Sequence, residues 1–211
     1  MGAIHLIRHG QASWHSDDYD QLSELGVRQS SWLGQAWEAA DWKPDWSVAG
    51  SLRRHAQTAV AASDAVDGDL YDVDAGWDEY DHLGLTGHVS AADRPSDPRE
   101  FQSLLDAALE RWVSGGEAPE TFAAFTQRVL AALDVATAQA GSGRGVAVFT
   151  SGGPIALVTS YLLAGDASLF IPLNRVTVNA GVTTLIVGRG GRRVLTFNEH
   201  THVPRDSVTF R

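Results

Sequence analysis

The run Ile4-His5-Leu6-Ile7 is too short for a helix of its own and long enough for a buried strand, which would end at Ile7 or Arg8. Gly10 would let the backbone turn sharply beyond it. Ser23 then stands where it can cap a helix that carries Leu25, Trp32, Leu33 and Trp37 on roughly one face. Residues 45–49 read as a second strand, 54–66 as an alanine-rich helix and 70–73 as a short third strand. From Tyr80 to Pro98 the pattern is irregular, broken by Gly84, Gly87, Pro95 and Pro98. Two long helical patterns follow, about 98–113 and about 119–140, each opened by a proline whose missing N–H costs least there.

Gly141-Ser142-Gly143 ends the second of these helices, and Val146 to Thr150 reads as a buried strand. Gly152-Gly153-Pro154 opens a helix reaching Leu163, and strands near 182–187 and 194–197 flank a glycine turn at 188–191. Alternating strands and helices predict a three-layer α/β/α sandwich around a mainly parallel sheet. The closing hairpin adds an antiparallel edge strand. No repeat or linker divides the chain, so a single domain over 1–211 is expected, with a short cap-like insertion at about 80–118.

Composition narrows the functions. Of 211 residues, 44% are hydrophobic, enough for one substantial core. The formal charge of -10 argues against a nucleic-acid partner, because backbone phosphates demand clustered positive charge. Cysteine is absent, which removes disulfides, thiol catalysis and thiolate metal sites. Neither a basic leader nor a long apolar segment is visible, so no membrane partner and a cytoplasmic location are expected.

The chemistry gathers at predicted strand ends. Arg8-His9-Gly10 would place an imidazole and a permanent cation where ligand crevices form in open α/β sheets. That pair suits attack on a phosphate: the ring supplies the nucleophile and Arg8 neutralises oxygens. Three blocks now stand in order: Arg8-His9-Gly10-Gln11; Leu22-Ser23-Glu24-Leu25-Gly26 with Gln29; and Leu52-Arg53-Arg54-His55-Ala56-Gln57-Thr58-Ala59. With Thr150-Ser151-Gly152-Gly153 as a fourth, the chain resembles the histidine phosphatase superfamily, with its phosphoglycerate mutase-like fold.

The resemblance implies that His9 is the nucleophile, forming a phosphohistidine that water then releases. It makes Arg8 and Arg54 the ligands of the phosphoryl group, by fork-shaped charge-assisted hydrogen bonds. Arg53 is then an exposed residue at a helix start. The general acid falls on Glu79 in Trp77-Asp78-Glu79-Tyr80-Asp81-His82, with crowded carboxylates and the Trp77 and Tyr80 rings raising its pKa. Asp78 and Asp81 are the fallbacks, since eight acids between Asp64 and Asp81 also suit a solvated loop.

This sequence departs from the family pattern at several points. Ser151 stands where most members carry a second histidine, Gly50 where a serine is usual, and His55 where an alanine is usual. Ser151 and the amides of Gly152 and Gly153 can still bind an anion at a helix N-terminus. A Ser151→His exchange would raise activity toward acid pH if the serine merely replaces a lost cation, and lower it if the pocket has been rebuilt around the hydroxyl. Gln11 and His15 are further candidates for substrate contact. Trp14 and Trp77 adjoin the site segments and could line its pocket.

His5 is read as structural, as are His200 and His202. Asp17, Asp18 and Asp20 are read as solvated turn residues. The arginines supply the charge, so neither cofactor nor metal is implied.

The expected activity is hydrolysis of a small phosphorylated metabolite. Mutase-like phosphoryl transfer is the alternative in the same pocket, and a catalytically weak phosphate-binding protein the alternative from another class. Exposed apolar positions on the late helices would suit a homodimer.

Overall fold

In a computed structural model of the chain, residues 1–13, 20–66, 71–87, 98–141 and 143–210 are described. Six strands form one sheet: β1 (Gly2–Arg8), β2 (Trp46–Ala49), β3 (Asp72–Val73), β4 (Gly145–Thr150), β5 (Val182–Gly188) and β6 (Gly191–Glu199). Their order is β3-β2-β4-β1-β5-β6. β1 to β4 run parallel, while β5 pairs antiparallel with both β1 and β6. The antiparallel partner of β1 is therefore one strand in from the edge, and the hairpin returns through β6.

Period-2 alternation sorts the central strands onto two cores. Ile4, Leu6, Val146 and Val148 face a cluster with α5 (Phe122–Ala140) and α6 (Gly152–Ala164). Ile7, Ala147 and Phe149 face the opposite cluster, with Leu33 and Trp37 of α1 (Glu24–Ala39) and Ala59 and Ala62 of α2 (Arg53–Ser63). All six residues of β4 are buried, as a strand covered on both faces must be.

Among the described residues there are three further α-helices: α3 (His82–Thr86), α4 (Pro98–Val113) and α7 (Phe170–Val176). Trp112 of α4, Phe122 and Phe125 of α5, Phe170 of α7 and Tyr80 pack as one aromatic group, with centroid separations of 5.0 to 6.3 Å. α3 lies inside the stretch read as irregular, and α7 has no counterpart in the sequence reading.

Several boundaries move for local reasons. α5 begins at Phe122, because the Thr121 side chain accepts from the Ala124 N–H and caps the helix; Pro119 lies outside it. Ser23 caps α1 as expected, accepting from Gly26 N–H. The helix expected over 54–66 is α2 followed by a 3-10 turn, Asp64–Val66. β3 is only two residues long, and Leu70 lies outside the described residues.

Candidate active site

Strand register assembles the pocket. Arg8 of β1 sits opposite Thr150 of β4, and Ala49 of β2 opposite Phe149. The residues that follow, His9, Gly50 and Ser151, therefore emerge side by side at the carboxyl ends of three adjacent strands. That edge is where open α/β sheets bind ligands.

His9 is held at every polar backbone atom. Its N–H donates to Thr150 O at 2.8 Å, and its carbonyl accepts from Ala180 N–H and Asn179 Nδ2, both at 3.2 Å. Its ring Nδ1 lies 2.7 Å from Gly10 O. A carbonyl can only accept, so Nδ1 carries the proton and Nε2 keeps its lone pair. Burial, with Arg54, Arg8 and His55 nearby, holds the imidazole pKa well below 6.5. The ring is thus neutral and nucleophilic near neutral pH.

Gly10 is not in the left-handed region, so a turn there does not require glycine's extra conformational freedom. A Cβ at Gly10 would overlap the Gly26 carbonyl of α1, and close approach is what requires glycine. The Gln57-Thr58 pair of α2 then ties the loops together. Thr58 Oγ1 accepts from Gly10 N–H at 3.1 Å, and Gln57 Oε1 accepts from Leu22 N–H at 2.7 Å.

Arg54 is buried at the start of α2, and its Nη1 meets Asp20 Oδ1 at 2.7 Å. Asp20 Oδ2 also accepts from Arg53 N–H at 2.9 Å. This carboxylate, read from sequence as a solvated turn residue, sits on the arginine proposed to bind phosphate. Arg8 turns Nη1 to the carbonyls of Thr177 and Phe210, while its Nε would lie 3.8 Å from a Cβ on Gly152. Arg53 is exposed, as expected.

Glu79 faces these groups from the loop after β3. A Cβ on Gly153 would overlap its Oε1, so glycine at the start of α6 makes room for the carboxyl group. The Gly153 N–H donates to Oε1 at 3.1 Å and to Oε2 at 3.3 Å, and the Tyr80 N–H donates to Oε1 at 3.2 Å. One of the two amides expected to bind an anion is thus already committed to Glu79. Burial raises the carboxyl pKa above 4.5, while Arg54, the Gly153 amide, Arg8 and the Tyr80 amide pull it down. Desolvation, not a crowd of carboxylates, is the cause of the rise.

The fallback Asp78 does other work. Its two oxygens accept from Ser51 N–H at 2.6 Å and Ser51 Oγ at 2.5 Å. Asp81 caps α3, accepting from Gly84 N–H at 3.0 Å.

Sequence reasoning missed Arg128 of α5. Its guanidinium donates to Asp78 O at 2.7 Å, Gly76 O at 3.2 Å and Glu79 O at 3.5 Å. The same group forks onto Glu120 at 2.6 and 2.9 Å and lies 4.7 Å over the Phe125 ring. An arginine on a mostly apolar helix was the available signal. Also missed was the strap formed by residues 207–210. Gln29 Nε2 donates to Ser207 O and Thr209 Oγ1, and the Asn179 N–H donates to Thr209 O.

The remaining candidates divide. Gln11 Oε1 accepts from Ser23 Oγ at 2.8 Å, which ties it to the α1 cap. Ser151 is fully buried, and its Oγ lies 2.7 Å from His55 Nε2. Gly152 opens α6 beside Asn174 and Arg8. His15 and Trp14, with Asp17 and Asp18, lie outside the described residues. Trp77 is fully buried in the core and does not line the pocket. Its carbonyl accepts from Thr150 Oγ1 at 2.5 Å.

His5 meets Trp42 edge-on at 4.8 Å and Thr184 Oγ1 at 3.2 Å, and burial lowers its pKa to about 4. His200 Nδ1 and His202 Nε2 face the carbonyls of Asn198 and Ala180. Among the described residues no three His, Cys, Asp or Glu side chains cluster as metal ligands, and no helix is long and apolar enough to cross a membrane.

The mixed sheet, with an imidazole and two arginines at its carboxyl edge, has the phosphoglycerate mutase-like architecture. The family model for the histidine phosphatase superfamily (branch 1) matches residues 4–200, and the chain belongs to that family. A phosphoserine phosphatase from Entamoeba histolytica, solved with 3-phosphoglyceric acid, is similar in fold at 21% identity and a TM-score of 0.72, over 97% of this chain and 100% of its own. A mycobacterial glucosyl-3-phosphoglycerate phosphatase has 20% identity and a TM-score of 0.69, over 94% and 99% of the two chains. A phosphoglycerate mutase from Bacillus anthracis has 18% identity and a TM-score of 0.66, over 95% and 94%. No curated protein matches the sequence.

Proposed function

We propose that the protein is a phosphomonoesterase that hydrolyses a small phosphorylated metabolite through a phosphohistidine on His9. The observation that carries this reading is the neutral imidazole, with Nδ1 tied to Gly10 O, near Arg8 and Arg54, which also act on the buried Glu79 carboxyl group of raised pKa. Nε2 attacks phosphorus while the guanidinium groups of Arg8 and Arg54 take the charge spreading over the phosphoryl oxygens. Protonated Glu79 gives its proton to the leaving oxygen. As carboxylate it then takes a proton from the water that attacks the phosphohistidine, restoring both groups.

Phosphate must displace or share Arg54 with Asp20, so that carboxylate tunes the pocket's affinity for anions. The described helices of the 80–118 stretch, α3 and α4, would form the cap over the leaving group. Between Tyr80 and Arg99 the only basic residues are Arg94 and Arg99, a sparse supply for gripping a highly anionic bisphosphate. That favours hydrolysis over mutase chemistry. Phosphoserine and glucosyl-3-phosphoglycerate, named for two fold relatives, are sensible first substrates alongside sugar phosphates.

The test is phosphate release from such a panel, with His9→Ala as the control. Turnover that vanishes in the mutant, with an acid-labile and alkali-stable label on the parent, is the expected result, because that is how a phosphohistidine behaves. Turnover unchanged in His9→Ala would remove His9 as nucleophile.

A further inference from the structure

The departures at positions 50, 55 and 151 meet in space. His55 is fully buried, its ring centroid is 5.8 Å from that of His9, and its Nε2 lies 2.7 Å from Ser151 Oγ. The ring fits only because residue 50 has no side chain: a Cβ there would overlap His55 Nδ1 and lie 2.7 Å from Asp78 Oδ1. Asp78 Oδ1 stands 3.8 Å from Nδ1, beyond hydrogen-bonding distance, and both its oxygens already serve Ser51. Among the described residues Nδ1 has no hydrogen-bond partner, and Ser151 caps no amide of α6 with its side chain. The ring's one hydrogen bond is therefore spent on the Ser151 hydroxyl.

We propose that His55 is a positioning residue that aims the Ser151 hydroxyl at the transferring phosphoryl group, the imidazole having entered the pocket from α2 and the hydroxyl from the end of β4. A hydroxyl has one proton to give and two lone pairs. When Nε2–H donates to Ser151 Oγ, the hydroxyl proton is left to donate to a phosphoryl oxygen. An incoming anion selects that tautomer, because the alternative presents it only with lone pairs. The ring and hydroxyl together form one donor relay beside His9, and neither delivers the bond without the other.

This proposal rests on the reading of the pocket as a phosphoryl site, and the two fail separately. The measurements are inorganic phosphate binding by calorimetry and turnover of p-nitrophenyl phosphate. The variants are His55→Ala, His55→Gln, Ser151→Ala, Ser151→His, the double alanine variant and the combination His55→Ala with Ser151→His. Loss of a hydrogen bond to a charged group predicts about tenfold weaker phosphate binding in each alanine variant. The double alanine variant should lose no more than either single one. His55→Gln keeps a donor at similar reach and should bind better than His55→Ala.

Ser151→His alone should fall with the alanine variants, since the new ring would collide with His55. Adding His55→Ala empties that space, and the combination should recover at least about tenfold in turnover, the order of one transition-state donor. Multiplying losses, a parent-like His55→Ala, or a Ser151→His variant as good as the parent would each overturn the proposal. A parent lacking His9-dependent turnover would sink the hydrolase reading, and the phosphate-binding cycle would still decide this one.

Discussion

The two sides of the pocket are held in place by different means. On the side of the proposed nucleophile, His9 is fixed by its own backbone and by the next residue's carbonyl, with sheet register supplying the rest. On the side of the proposed acid, Glu79 lies in a loop after a two-residue strand, and its position depends on Arg128 from a helix far along the chain and on the missing side chain of Gly153. A nucleophile must approach phosphorus along one line, and a rigid strand end provides that. A proton donor must exchange with leaving group and water, which a side-chain clamp on a loop can accommodate.

The largest test of this contrast is His9→Ala. Removing a covalent nucleophile should cost about 10⁴-fold or more in kcat, by analogy with catalytic triads, and the alkali-stable phosphoenzyme should vanish on rapid quench. Circular dichroism should be unchanged.

Glu79→Gln comes next and should separate substrates. Alkyl phosphates, whose alkoxide leaves poorly, should lose about 10²–10⁴-fold, the usual span for general acids. p-Nitrophenyl phosphate, which needs little protonation, should lose far less. The same logic fixes the pH profile of kcat/KM. His9 must be unprotonated, and its lowered pKa carries the acid limb well below pH 6.5. Glu79 must be protonated, and its raised pKa carries the alkaline limb above 4.5; that limb should disappear in Glu79→Gln. An equal loss on both substrate classes would mean that Glu79 shapes the pocket without moving a proton.

Arg128→Ala should resemble a diluted Glu79→Gln. A displaced acid costs up to about 10²-fold when it moves by an ångström, and the loss should again be worse for alkyl phosphates. A uniform loss would show that the clamp supports the whole fold instead. The smallest effect is expected from Asp20→Asn, which removes a partly exposed competitor for Arg54. Phosphate should bind about two- to fivefold tighter, in line with the modest worth of such pairs.

The same contrast explains what could be read from the sequence. The β1–His9 unit is local: an apolar run, a cation and a nucleophile in consecutive residues. β4 and the start of α6 are equally contiguous, and so is the Ser23 cap. Arg128, Asn179 and the 207–210 strap act through contacts between residues remote in the chain, and no local pattern announces them. Asp20 was misread because a carboxylate in a turn looks the same whether water or an arginine faces it. Trp77 was misplaced because adjacency to Glu79 in sequence does not give the direction of a side chain. Trp77 closes the 3-10 turn Ala75–Trp77 with its ring in the core, while Glu79 lies in the loop beyond and reaches the Gly153 amide. His55 and Gly50 were visible as departures, but their shared space was not.

The bare Cα at position 50 also constrains how such a pocket can arise. With any side chain there, an imidazole at position 55 has no room. Positions 50 and 55 therefore vary as a pair: a side chain can be placed at 50 only where the ring at 55 is displaced or removed.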